Sequence, residues 1–399
     1  MSELMKERLK VAVLNAGGQP DYLYGFVSGI ANANVDIEIV DGDKTVNSFK
    51  KYRNVTHLNY KGSVHQASTS AIRKSIKLFK YYLRLIIFPF ITKSKIFHIQ
   101  WENKFVVFDR TILILWYKLF GKHIVYTAHN VNPYSRDGNG NVFKEKSLSF
   151  LYNKVDKIIV HTSQMRDALI NQFNIDSSKI SICLHGINNF AQGALISKND
   201  ARIHLNVKGS KKVILFFGQV GYYKGLDILL ESINELIIKG EDVFLIIRGR
   251  PKNCKEYVDE CLEIIRKYNL YDKVDLKFDF IPHSEVDIIF QAADVVCLPY
   301  RSIFQSGVVF MALKYGVPMI ATDVGNFKED ILMNENGMLA KEISAESLST
   351  AFIEFFKSQY YLNPDIKSRI IKDAKAYYSW DKIGMEYIQI YENLYTFTS

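Results

Sequence analysis

The 399 residues hold only four cysteines, Cys183, Cys254, Cys261 and Cys297. None forms a C-x-x-C pair and none falls in a zinc-ligand spacing, which argues against a structural zinc site and points to a reducing compartment. The chain also lacks long hydrophobic runs. No stretch of 18 uncharged apolar residues occurs, and the run Leu85 to Ile91 is far too short to span a bilayer. The opening MSELMKERLK has no apolar core of a secretory signal. A cytoplasmic protein, or one peripheral on the cytoplasmic face of a membrane, is therefore expected. Acidic residues are missing from one long segment. Between Asp43 and Glu102 there is no Asp or Glu, while residues 44–101 carry 12 Lys and Arg. The whole chain is +9, so this segment accounts for all of its positive excess. Such asymmetry calls for a polyanionic partner: a membrane, a nucleic acid or a phosphorylated substrate.

What is present is the composition of a folded protein, 48% hydrophobic and 23% charged, which excludes wholesale disorder and suggests two domains. KVAVLN (10–15) reads as a buried strand running into the turn Ala16-Gly17-Gly18-Gln19-Pro20 and then a helix. Apolar runs at 35–40, 55–59, 96–101, 123–128 and 157–161 come next, several of them separated by helical patterns. That alternation predicts a parallel sheet. Residues 186–212 are polar and read as a connection. A second strand–helix series then begins at 212–218 and continues at 242–249, 273–278, 293–299 and 317–322. The expected organisation is a Rossmann-like domain over 1–190, a second over 191–377, and a closing helix over 378–399 that packs back on the first. Doubly wound sheets bind ligands at the carboxyl ends of their strands.

The strongest chemical signal is in the second half. The strand at 212–217 ends in Gly218-Gln219-Val220-Gly221-Tyr222-Tyr223-Lys224-Gly225 ahead of a helix. Backbone N–H groups and a lysine at such a turn suit an anion, although an ordinary β–α turn reads the same way. A second strand, Ala293–Pro299, leads through Gln305-Ser306-Gly307-Val308 into another helix. Free amides and the helix dipole there suit a diphosphate, and glycine at 307 lets that backbone approach closely.

The order G-x5-K-G, A-D-V-x-x-x-P, then G-x-P-x-I-A-T-D-x-G resembles the retaining GT-B glycosyltransferases of family 4, from about residue 10 to about 396. The closing Ser379-Trp380-Asp381 is similar too. The resemblance implies two Rossmann-like doubly wound domains facing across a cleft. It implies a nucleotide-sugar donor held by the second domain, an acceptor held by the first, and no cofactor or obligatory metal. It assigns Gly218, Gln219, Lys224, Ser306, Gly307 and Val308 to the donor diphosphate, and Gln305 and His129 to the donor sugar. Lys224 and the amides at 306–308 would stabilise the leaving group. Gly17, Gly18, Trp101, Asn130, Arg136 and Asp137 fall on the acceptor side. No general base is assigned. Three positions depart from the family pattern. Its E-x7-E pair, whose second Glu holds the ribose, falls on Ile303 and Met311. Its Arg in G-R-x4-K-G is Gln219, for which Arg248 or Arg250 could compensate. The loop Gln305-Ser306-Gly307-Val308 resembles that of a bacterial branch with Q-S-G-V at this place, so the missing Glu pair need not mean an inactive enzyme.

Ile72, Ile76, Phe79, Leu83, Ile86 and Phe90 recur at helical spacing, with Arg73, Lys77, Lys80 and Arg84 on a neighbouring face. An amphipathic helix ending near Pro89 is expected, its apolar stripe packed on its own sheet and its basic face directed to an anionic membrane surface. No nucleic-acid motif appears. The favoured acceptor is a glycan or lipid-linked saccharide of bacterial surface polysaccharide. Two rival readings stand beside this one: a GT-B sugar-nucleotide epimerase, and a non-catalytic partner in a glycan synthase complex.

Overall fold

The computed structural model describes residues 8–33, 35–42, 47–62, 71–132, 142–187, 196–209, 211–252, 254–333 and 335–396. The chain forms two units, residues 1–188 with 378–399, and residues 189–377.

The first unit is built on a seven-stranded sheet. Its strands are β1 (Leu9–Asn15), β2 (Val35–Asp41), β3 (Val55–Asn59), β4 (Ile96–Trp101), β5 (His123–Thr127), β6 (Lys157–Val160) and β7 (Ile180–Ile182). They lie in the order β3-β2-β1-β4-β5-β6-β7, every pair parallel. β1 is apolar along nearly its whole length because helices cover both faces of such a sheet. The second unit has six strands: β8 (Lys212–Phe217), β9 (Val243–Arg248), β10 (Val274–Lys277), β11 (Val295–Leu298), β12 (Met319–Thr322) and β13 (Gly337–Ala340). Their order is β10-β9-β8-β11-β12-β13, again all parallel. The order reverses between β1 and β4 in one sheet and between β8 and β11 in the other. Those two places are where a doubly wound sheet opens a crevice for ligand. The segment read as a plain connection contains a helix, Lys198–His204, capped by the Ser197 side chain.

Five helices border these crevices or carry the sequence motifs: α1 (Pro20–Ala31), α2 (Ala71–Ile91), α3 (Leu226–Ile238), α4 (Gly307–Tyr315) and α5 (Trp380–Thr396). α5 returns to the first unit and crosses α1 where two glycines meet. A Cβ on Gly384 would lie 2.4 Å from the Gly29 carbonyl oxygen, and one on Gly29 would lie 2.2 Å from that of Trp380. The Ser-Trp-Asp motif thus marks a helix–helix crossing that tolerates no side chain. Tyr22 and Tyr387 join hydroxyls across it at 3.2 Å.

α2 departs from expectation in two ways. It runs through Pro89 to Ile91; near the end of a helix a proline forfeits only one hydrogen bond. Its apolar stripe also faces away from the sheet. Ile72, Ile76, Phe79, Leu83 and Phe90 are exposed, and Ile86 is half-buried. The helix packs inward through Tyr81, Tyr82, Leu85 and Phe88, which lie on its opposite side. It is apolar on two faces, and the sheet needs only one.

Candidate active site

In the second unit, the turn after β8 is shaped by its contacts with the loop after β11. Gly225 has φ +65°, and a Cβ there would sit 1.9 Å from the Pro299 carbonyl oxygen. This approach turns Lys224 inward, leaving it 6% exposed. Its Nζ donates to the Tyr300 hydroxyl (2.5 Å) and lies 4.1 Å from the ring centre. The Tyr300 hydroxyl is 3.2 Å from Ser306 Oγ. Ser306 caps α4, its Oγ accepting from the Val308 N–H (3.3 Å). A hydrogen-bonded chain therefore runs from Lys224 through Tyr300 to the N-terminus of α4.

Arg301 locks the turn from outside. Its backbone N–H donates to Tyr223 O (2.8 Å) and its guanidinium donates to Tyr222 O (2.8 Å). The same guanidinium grips both oxygens of Asp227 in the first turn of α3 (2.9 and 2.5 Å) and stacks over the Tyr222 ring. Burial pushes the Asp227 carboxyl up, but the hydrogen bonds from Arg301 and Tyr257 outweigh it and hold the group below its usual range. A bidentate pair of this kind fixes geometry as well as contributing energy.

A Cβ on Gly218 would meet Val308 Cγ2 at 3.2 Å and Lys224 Nζ at 3.9 Å. Gly218, Lys224 and Val308 thus converge on one spot at the β8–β11 switch point. Gly307 is exposed beside it, and a Cβ there would meet nothing within 4 Å. Gln219 is exposed beyond the turn and Gln305 is half-buried just before the cap. Two expectations change. The Val308 amide already has a partner, the Ser306 hydroxyl. Arg248 is committed elsewhere: its guanidinium pairs with Asp275 and donates to the carbonyls of Ile247 (3.0 Å) and Asp275 (2.9 Å). Arg250 is exposed. Tyr300 and the Arg301–Asp227 clamp were not singled out from sequence.

In the first unit, the β1–β4 switch point holds Gly17, Gly18 and Trp101. Asn15 donates to Asp41 (3.0 Å), its Oδ1 accepts from the Gly18 N–H (3.3 Å), and Lys61 donates to Ala16 O (2.5 Å). A Cβ on Gly18 would fall 2.0 Å from the Trp101 indole. Trp101 in turn stacks on His129, centroids 3.9 Å apart, and Tyr22 meets His129, Trp101 and Trp380 edge-on. So Gly18, Trp101 and His129 are brought together. Asn130 is half-buried, its Oδ1 accepting from the Asn132 N–H (3.2 Å). Arg136 and Asp137 lie outside the described residues.

The hydrogen bonds around His129 set its tautomer. His161 Nδ1 lies 2.8 Å from the Cys183 carbonyl oxygen and must donate to it. Burial pushes the His161 pKa down to about 4, so its ring is neutral and its Nε2 is an acceptor. His129 Nδ1, 3.2 Å away, must then donate. Burial first, and then His161, hold His129 well below the ordinary histidine range. Its Nε2 is therefore a lone-pair acceptor, and that atom is buried without a partner. An acceptor in this state is suited to a hydroxyl hydrogen. His98 has a different role: fully buried, it contacts Tyr391 (2.5 Å) and Thr127 (2.7 Å) and belongs to the core. Among the described residues no group of three or more His, Cys, Asp or Glu is arranged to hold a metal ion.

Two parallel-sheet Rossmann-like domains, each with its strand order reversing at a switch point, are the architecture of the GT-B glycosyltransferases. Comparison with known proteins specifies the two halves: residues 16–189 match the Glycosyltransferase Family 4 model and residues 197–377 match Glycosyl transferases group 1, so that the two matches together span most of the chain. D-inositol 3-phosphate glycosyltransferase of Corynebacterium diphtheriae is 25% identical over 228 residues, 54% of this chain and 53% of that protein. The chain spans between about half and three fifths of the curated relatives it matches first. Among solved structures, sucrose-phosphate synthase from Thermosynechococcus elongatus superposes with a TM-score of 0.74 at 16% identity, covering 98% of this chain and 100% of that one. Anabaena HepE in complex with UDP-glucose gives 0.71 at 15% identity, covering 97% and 100%.

Proposed function

We propose that the protein transfers a sugar, with retained configuration, from a nucleoside-diphosphate sugar to a hydroxyl of a lipid-linked saccharide in bacterial surface polysaccharide synthesis. The observation that carries the donor half is the convergence of Gly218, Lys224 and the N-terminus of α4 at the β8–β11 switch point. A buried ammonium beside a helix N-terminus is suited to a diphosphate, and HepE is a GT-B neighbour whose structure contains UDP-glucose.

In the reaction, the bond from the anomeric carbon to the diphosphate oxygen breaks and a bond to the acceptor oxygen forms on the same face. The acceptor proton passes to the departing phosphate oxygen, which balances the charge without a protein base. Lys224 stabilises the negative charge that grows on the leaving group, and charge stabilisation of this kind is usually the largest single contribution to such catalysis. His129 Nε2 accepts from a donor-sugar hydroxyl. Gly17, Gly18, Trp101 and Asn130 face the acceptor. The basic segment draws the protein to an anionic leaflet on the cytoplasmic side, where a lipid-linked acceptor is available. Among the described residues no helix is long and apolar enough to cross a membrane.

The test is product analysis with a panel of labelled UDP-, GDP-, ADP- and TDP-sugars, with and without lipid-linked acceptors, followed by NMR of the new anomeric centre. A product that needs both substrates and keeps the donor configuration is expected. An epimer formed from donor alone, or no nucleotide binding at millimolar concentration, would overturn the proposal in favour of the epimerase or the non-catalytic partner.

A further inference from the structure

The outward face of α2 exposes seven large apolar side chains: Ile72, Ile76, Phe79, Leu83, Ile87, Phe90 and Ile91. Ile72 is 73% exposed and Phe79 70%. At 100° per residue most of them form one stripe, opposite the side that packs inward through Tyr81, Leu85 and Phe88. The stripe does not end at the helix edge. Phe90 packs on Phe120 (4.2 Å between centroids) and Trp116 (5.8 Å), and the Trp116 Nε1–H donates to Ile86 O (2.9 Å). The helical segment 106–119 adds Ile112, Leu115 and Leu119, all exposed at three- and four-residue spacing. Two neighbouring elements thus build one apolar surface, of a kind soluble monomers rarely leave open. Along its other border run Arg73, Lys77, Lys80 and Arg84, and no acidic residue occurs from 44 to 101.

We infer that this surface inserts into the hydrocarbon boundary of an anionic lipid leaflet, with the basic row lying on the headgroups. The inference rests on the proposed attraction to an anionic leaflet and deepens it: charge brings the protein to the membrane, and apolar burial holds it there. The occupant is a bilayer rather than a second copy because the border is cationic along its length. A second copy would set one basic row near another, whereas anionic headgroups neutralise it. An apolar stripe flanked by Lys and Arg is the arrangement of helices that lie in the membrane interface.

The experiment is co-sedimentation of the full chain with phosphatidylglycerol–phosphatidylcholine vesicles, at low salt and at about 1 M salt, where the Debye length falls to about 3 Å. Wild type is expected to stay bound at high salt. The triple variant Ile76→Ser, Phe79→Ser, Leu83→Ser should lose binding at least tenfold at both salts. Its circular dichroism and melting temperature should match wild type, because the three side chains are exposed. Ile72→Ser alone, at the most exposed position of the α2 stripe, should give a smaller loss of the same kind. If wild type is released at high salt and the triple variant binds as wild type does at low salt, insertion fails while charge-driven adsorption stands. If wild type does not bind at low salt, both readings fail. If it is instead a dimer by light scattering and the triple variant is a monomer, a second copy covers the surface and the inference is overturned.

Discussion

Replacing Lys224 by methionine keeps most of the side-chain volume and removes one charge from a site that is 6% exposed. Two effects on the free protein oppose each other. The ammonium loses its contact with the Tyr300 ring, worth about 0.5–2 kcal/mol, and its hydrogen bond to the Tyr300 hydroxyl. Against that, a charge no longer has to be held out of water, and replacing buried ionic groups with well-packed apolar ones is often neutral or stabilising by about 1–4 kcal/mol. Tyr300 keeps Ser306 as a partner at 3.2 Å. The expected net change in the free protein is within about 1 kcal/mol, or about 2–4 °C in melting temperature for a domain of this size. Ligand response should change far more. A nucleoside diphosphate at 100 times its dissociation constant stabilises wild type by about 2.7 kcal/mol. The methionine variant should lose most of that, and kcat should fall about 10²–10³-fold, as on removal of one group that stabilises transition-state charge. The assay is thermal denaturation with and without UDP, GDP and ADP, beside initial rates. A variant that melts many degrees lower but keeps its full response to nucleotide would show that Lys224 is a structural residue and would refute the argument.

Gly307→Ala should leave the melting temperature unchanged or slightly raised, since its Cβ meets nothing and alanine suits a helix better, yet weaken nucleotide binding if a phosphate approaches there; isothermal titration beside melting curves checks both. Burial pushes the Asp109 carboxyl up to about 7, with one oxygen held by Tyr82 and the other unpartnered beside a cavity with room for about one water. Its folded pKa lies above the unfolded value, so its stabilising contribution is present in acid and lost as pH rises towards and through 7; Asp109→Asn should therefore raise stability at pH 8 by up to about 4 kcal/mol, read as a higher melting temperature, and leave it nearly unchanged near pH 4. His98 and His161 work in the opposite direction: burial lowers their pKa values to about 3 and about 4, so the unfolded chain binds more protons below pH 6.5 and stability is lost as pH falls from there towards 4. His98→Gln should flatten that acid limb in melting curves taken between pH 7 and 4.

Much of this architecture is legible in the residues. Eleven strands show as apolar runs, nine of them because strands inside a parallel sheet are buried on both faces; the edge strands β3 and β10 show although none of their residues is buried. The two that do not are β7, only three residues long (ISI), and β13 (GMLA), which opens on a glycine and holds no β-branched or aromatic residue. Site residues are legible where backbone shape demands glycine, as at Gly18 and Gly225. They are not legible where function depends on a neighbour distant in sequence. Tyr300 and Lys224 are 76 residues apart, and His161 sets the tautomer of His129 from the next strand. The exposed stripe of α2 is a different kind of failure. Periodicity shows that a helix has an apolar face, and convention assigns that face to the core. α2 has a second apolar face, in Tyr81, Leu85 and Phe88, and only packing decides which one the sheet takes.

The replaced carboxylates lead to one more expectation. Against the family pattern, the donor turn lacks two glutamates, at Ile303 and Met311, and one arginine, at Gln219. Losing two negative charges and one positive leaves the turn one unit more positive, so the missing arginine need not weaken the hold on a diphosphate. What disappears is an acceptor for ribose hydroxyls. Met311 is half-buried one helical turn beyond exposed Gly307, on the same side of α4. Wild type should therefore discriminate little between a nucleotide and its 2′-deoxy form. Met311→Glu should restore a charge-assisted hydrogen bond, worth about 1.5–3 kcal/mol before the cost of ordering the side chain. About tenfold tighter binding of UDP, GDP or ADP, with no gain for the 2′-deoxy nucleotide, is the expected result in paired titrations. Equal gains for both forms would mean that the new carboxylate acts by something other than the ribose. A loss of affinity for both would mean that the added negative charge faces the diphosphate, and that α4 presents position 311 to the phosphates rather than to the sugar.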